Sequence, residues 1–138
     1  MPRPTKALIV DDEAHARTYV RLLLHELGVG VCAEAADGGQ ALALFAEQQP
    51  DLVMLDINLR MMTGLQVLQA MKQSRPEVPV IMMSSESALK TVQEAARLGA
   101  SGYILKHSAK PEALRMLSDA LDVIADEEAE PDEENEDQ

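Results

Sequence analysis

Four short apolar runs in this chain end in side chains that can do chemistry. Lys6-Ala-Leu-Ile-Val leads into Asp11, Asp12 and Glu13, Leu52-Val-Met-Leu into Asp56, Val80-Ile-Met-Met into Ser84 and Ser85, and Gly102-Tyr-Ile-Leu into Lys106. Such runs are too short for helices and lack polar alternation, so they suit strands covered on both faces, as in a parallel sheet. Lying parallel in one sheet, they would deliver their last residues to its carboxyl edge, where open α/β sheets bind ligands. Each group alone has an ordinary reading. Asp56 and the acid pair could cap helices, Ser84 could cap a later one, and Lys106 could serve a structural ion pair. Three acids together, however, repel one another and raise at least one pKa unless a cation sits among them. Hard oxygen ligands on short side chains suit Mg²⁺, commonly held by one or two carboxylates plus a phosphate oxygen. With Lys106 as a second positive charge and Ser84 as a hydroxyl donor, the group is fitted to receive an anion on Asp56.

The elements that must position these residues are legible from periodicity. A helix is predicted from about Ala14 to Leu27, with Val20, Leu23, Leu24 and Leu27 on one face and Gly28 as its stop. A strand follows over 29–34. Asp37-Gly-Gly then turns into a helix near Gln40 to Gln49, with Ala41, Leu42 and Phe45 inward and Pro50 ending it. Thr63-Gly64 precedes a third helix whose inner face includes Leu65, Leu68 and Met71, and a weakly apolar fourth runs from about Ala88 to Leu98. Pro111 starts the last, with a stripe of Leu114, Leu117, Leu121 and Ile124. Five strands alternating with five helices, with crossovers long enough for parallel pairing, predict a three-layer α/β domain.

A chain of 138 residues fits one domain and buries a core without staples. The single Cys32, in an apolar strand candidate, reads as a buried thiol acting as a small hydrophobe. No stretch matches a membrane span, and Met1 to Lys6 is too short and polar for a signal peptide, so a soluble cytoplasmic protein is expected. The net charge of −12 is uneven: residues 126–138 hold nine acids and no base, leaving 15 acids against 12 bases in residues 1–125. We therefore expect a folded domain over 1–125 and an acidic disordered tail over 126–138. No nucleic-acid partner is expected of a chain this acidic with no basic patch and no room for a second folded module, and no membrane partner of one without an apolar span. His15, His25 and His107 lack the spacing of paired metal ligands and read as surface residues.

Over residues 6 to about 125, these spaced elements resemble the response-regulator receiver family, its chemotaxis-type single domain in particular. Asp11 and Asp12 match the family's acid pair, Asp56 its phosphoacceptor, Ser84 the Thr/Ser switch position, Tyr103 the aromatic switch position and Lys106 the lysine. The resemblance implies a flavodoxin-like sheet of order 2-1-3-4-5. It also implies phosphoryl transfer to Asp56 from a phosphohistidine on a histidine kinase or histidine phosphotransfer protein. Mg²⁺ would be held by Asp12, Asp56 and the carbonyl of Asn58, with Asp11 direct or through water. Ser84 and Tyr103 would change the face of the fourth helix, fifth strand and fifth helix, where a downstream protein binds. The chain would be no enzyme beyond its own phosphorylation and dephosphorylation, and a monomer or weak dimer. Two places depart from the pattern: Arg60 stands where the family usually has Pro, and Lys106-His-Ser-Ala-Lys-Pro111 replaces the usual Lys-Pro pair.

Asn58, two residues after the phosphoacceptor, and Glu86, two after the switch serine, stand where the family tunes hydrolysis of the acyl phosphate. An amide with an acid implies a short-lived phosphorylated state. Other readings remain open at this point: a relay intermediate passing its phosphoryl group to a second histidine, a constitutive binding module, or a flavin or nucleotide binder. Against the last, no Gly-rich loop follows the first strand, and Asp11-Asp12-Glu13 would repel a phosphate there.

Overall fold

Strands β1 (Lys6–Val10), β2 (Gly30–Ala35), β3 (Leu52–Asp56), β4 (Val80–Ser84) and β5 (Gly102–Leu105) form one parallel sheet of order β2-β1-β3-β4-β5. The computed structural model describes residues 3–85 and 88–137, with side chains through residue 127. Helices α1 (Ala14–Glu26), α2 (Gly38–Gln48), α3 (Gly64–Ser74) and α4 (Leu89–Arg97) fill the four crossovers, and α5 (Lys110–Asp137) follows β5. The predicted flavodoxin-like order and element count are both present.

Strand alternation sorts the core into two halves. Ala7, Ile9, Leu52, Met54, Ile81, Met83 and Ile104 face one side, with Val20, Leu23 and Leu24 of α1 and Leu117, Leu121 and Ile124 of α5. Leu8, Val10, Val53, Leu55, Val80 and Met82 face the other, with Phe45 of α2, Val67, Leu68 and Met71 of α3, and Ala95 of α4. Every residue of β3 and β4 is buried, which is why their sequences run apolar without alternation. Leu27, Leu42, Leu65 and Leu114, predicted inward, are only partly buried and rim these clusters.

Two expectations change. Cys32 is half-buried rather than enclosed, because β2 is an edge strand whose pattern is exposed at Gly30 and intermediate from Val31 to Glu34. The backbone of α5 continues helically to Asp137, where the sequence predicted a disordered tail from residue 126. Ala and Glu are strong helix formers, and the segment prolongs a helix already nucleated and anchored by packing. The burial boundary nevertheless falls close to the expected place. Ile124 and Ala125 are the last buried residues of α5 among the side chains described.

Strand order reverses between β1 and β3, the topological switch point at which such sheets bind ligands. Val10 pairs with Leu55 there, so Asp11 and Asp56 leave the sheet side by side. Met83 pairs with Asp56 and Ser84 with Leu105, which brings Ser84 and Lys106 to the same edge.

Candidate phosphoacceptor site

Asp11, Asp56 and Ser84 are buried polar residues of the chain, 0%, 2% and 2% exposed respectively. A carboxylate so enclosed must find partners. Lys106 Nζ lies 2.8 Å from Asp11 Oδ2, 3.4 Å from Asp56 Oδ2 and 3.7 Å from Glu13 Oε1. The other Asp11 oxygen, Oδ1, accepts from the Glu13 backbone N–H at 2.9 Å, and Asp56 Oδ1 accepts from the Asn58 N–H at 3.2 Å. Oδ2 of Asp11 is close to the ammonium but off its hydrogen-bonding direction, so this buried oxygen has charge compensation without a hydrogen bond.

Burial pushes the Asp56 carboxyl up to about 6, helped by the neighbouring Asp11 and opposed by Lys106 and the Asn58 N–H. Burial would lower the Lys106 ammonium, but the carboxylates of Asp11 and Asp56 beside it outweigh that and raise it. Lys106 is therefore a fixed positive charge, while Asp56 remains mostly an ionised nucleophile at neutral pH.

The loop after β3 is drawn tightly under the site. Gly64 N–H donates to the Ile57 carbonyl at 2.7 Å, and a Cβ at Gly64 would stand 2.1 Å from the Asp56 carbonyl oxygen. Only glycine lets α3 begin so close behind the phosphoacceptor strand. Thr63 and Gln66 then close a capping box at the start of α3. Between them, the Met62 N–H donates to the Arg60 carbonyl at 2.7 Å across Met61, whose φ is 70° and whose side chain is fully exposed. A three-residue turn with positive φ at a non-glycine centre is strained. It carries Arg60, whose Nε stands 3.6 Å from Asp12 Oδ2.

Carboxylate oxygens of Asp11, Asp12 and Asp56 lie within 4.8 Å of one another. Three hard anionic oxygens, one of them buried without a hydrogen bond, fit a divalent cation such as Mg²⁺. The structure places Asp11, Asp12, Asp56, Asn58, Ser84 and Lys106 at one edge of the sheet. Tyr103 lies one strand over on the α4 side, partly buried against that half of the core. Glu86 lies outside the described residues. Sequence reasoning missed the Arg60 contact with Asp12, the approach of Glu13 to Lys106 and the steric demand at Gly64. Arg60 was visible as a charge out of pattern, but its direction depends on a turn that no motif announces.

A cavity of about 170 Å³ opens beside the site between α1, α5 and the sheet. Val20, Leu23, Met83 and Leu117 line it, with Lys106 and the exposed His15 and His107.

The sheet order and this edge of acids, hydroxyl and lysine define a receiver domain. Residues 7–118 match the model of the response regulator receiver domain, and the chain belongs to that family. It is 34% identical to chemotaxis protein CheY of Bacillus subtilis (strain 168), over 84% of this chain and 97% of that protein. It is 35% identical to sporulation initiation phosphotransferase F of the same organism, over 84% of this chain and 90% of that protein. Among solved structures, the CheX–CheY–BeF3–Mg²⁺ complex from Borrelia burgdorferi contains a similar chain, with TM-score 0.77 and 26% identity, over 83% of this chain and 87% of that one. No helix among the described residues is long and apolar enough to cross a membrane.

Proposed function

We propose that this chain is a cytoplasmic, phosphorylation-controlled switch that takes its phosphoryl group on Asp56 and passes the signal by binding a downstream protein. The observation that carries this is the placement of Asp56. It is a buried carboxylate at the centre of the ligand edge, with Lys106 at 3.4 Å and carboxylate oxygens of Asp11 and Asp12 within 4.8 Å. Similarity to proteins named for chemotaxis and phosphotransfer supports it.

A carboxylate oxygen of Asp56 attacks the phosphorus of a phosphohistidine on a kinase or phosphotransfer domain. The P–O bond forms as the P–N bond breaks, and the imidazole leaves, its ring nitrogen taking a proton from solvent. Such transfer is mostly positioning and electrostatics. Asp11, Asp12 and Asp56, with the Asn58 carbonyl, would hold Mg²⁺, which when bound neutralises charge between the carboxylates and the phosphoryl oxygens. Lys106 Nζ, already within 3.4 Å of Asp56, turns toward the transferred group and leaves Asp11 to the cation. The Ser84 hydroxyl donates to another phosphoryl oxygen. The chain catalyses only this self-phosphorylation and the hydrolysis that ends it.

Movement of Ser84 toward the phosphoryl oxygens vacates space that Tyr103 fills. Beside Tyr103, Val92, Ala95 and Ala96 of α4 line a shallow depression, so that motion remodels the α4–β5–α5 face. The exposed Asn58 stands beside the line of water attack, and with a small amide there the phosphorylated state is short-lived.

Incubation with acetyl phosphate and Mg²⁺ tests the chemistry. The full chain should gain one phosphoryl group by intact-mass measurement, and neither Asp56→Asn nor chain treated with chelator should gain any. Undiminished labelling of Asp56→Asn would overturn the assignment. Incubation of the phosphorylated chain with histidine phosphotransfer proteins separates a terminal switch from a relay.

A further inference from the structure

Two cations serve the three acids at the site. Lys106 serves Asp11 and Asp56, and it has no contact with Asp12. Asp12 is met instead by Arg60, through Nε at 3.6 Å. The Arg60 side chain is 81% exposed, and among the described residues the turn that carries it and the charge of Asp12 are what hold it there. That turn is strained at Met61, where φ is 70°.

We propose that Arg60 is a tethered competitor for the divalent-cation site. Its guanidinium neutralises Asp12 when no metal is bound and must withdraw before Asp12 can turn its oxygen to one. The inference rests on reading Asp11, Asp12 and Asp56 as a metal site. Its consequence is a cation affinity set lower than the three carboxylates alone would give, with occupancy that responds to changes in divalent concentration instead of saturating. Because the pair is exposed, the effect is about two- to five-fold in affinity and fades with salt.

Calorimetric titration of MgCl₂ into the unphosphorylated full chain tests this, with Arg60→Gln and Arg60→Lys beside the parent. Arg60 is exposed and outside the core, so the variants fold. Arg60→Gln should bind Mg²⁺ about three-fold more tightly at low salt, with Arg60→Lys between, and the gap should close near half-molar KCl. In the parent, the Arg60 Nε–H resonance in a ¹⁵N spectrum should shift with the same midpoint as the heat. Equal or weaker binding by Arg60→Gln, or an Nε–H signal that does not move, would overturn the proposal. Absence of Mg²⁺ binding to every form would overturn the metal reading and the proposal with it, a result distinguishable from equal affinities.

Discussion

A methyl group at position 64 has nowhere to go. It would meet the Asp56 carbonyl oxygen at 2.1 Å and the Ile57 Cα at 2.7 Å, both backbone atoms that cannot swing aside. Gly64→Ala should therefore cost at least about 2 kcal/mol in urea unfolding and slow acetyl-phosphate labelling, because relief requires moving Asp56 itself. Asp56 carries a second liability. Its carboxyl is raised from the ordinary 3.8 to about 6 in the folded protein, so the native state holds this proton more tightly than the open chain does. Folding then takes up a proton between those values. Stability from this group is full below about pH 4 and is lost as pH rises through 6. At pH 7.5, without divalent cations, Asp56→Asn should be more stable than the parent by about 1 to 3 kcal/mol. That advantage should shrink toward zero near pH 4, as urea titrations across the range would show.

Among the helices, α4 is held least. Ala95 is its one buried residue, Ala88 gives its first turn no side-chain cap, and Leu89 is 69% exposed. α1 buries four residues and α3 gains a capping box. Amides of α4 should accordingly exchange with deuterium faster than those of α1 or α3, and acetyl phosphate should change α4 more than either. This scale is also where the sequence was most readable. Unbroken apolar runs such as Leu52 to Leu55 are the mark of a strand covered on both faces, and Gly28, with φ 81°, stops α1 as its type suggests. The site's principal groups followed, since a parallel sheet sends the ends of all its strands to one edge. What escaped was set by tertiary approach. Neither the distance behind Gly64 nor the path of Arg60 has a local pattern. The edge position that leaves Cys32 half-exposed depends on strand order, which came from family resemblance alone. The Thr63–Gln66 capping box did have a signal, T-x-x-Q before an apolar helix, that could have placed the start of α3 to the residue.

At the scale of the molecule, α5 leaves the ligand edge at Lys110 and runs back along the sheet. Arg3, just ahead of β1, donates to Asp122 at 2.9 Å. Ile124 and Glu127 share a depression with Pro79 and Ser101, which immediately precede β4 and β5. Residues 126–137 therefore continue past the amino edge, opposite Asp56, and their helix would extend about 18 Å further. That exceeds the screening length of about 10 Å at 0.1 M salt. Truncation after Ala125 should leave the labelling rate and Mg²⁺ affinity unchanged within error. It should lower helical circular dichroism by the share of the removed segment. A large loss of labelling would show instead that the segment reaches the site.

Nine of the chain's 24 acids lie in residues 126–137, at the far end from its reactive edge. The protein thus has a built-in handle. On a surface coated with amines it should land tail first, every molecule presenting its phosphoacceptor outward to the solution, and a fluorophore or bead joined through that end would follow the reaction without standing in its way.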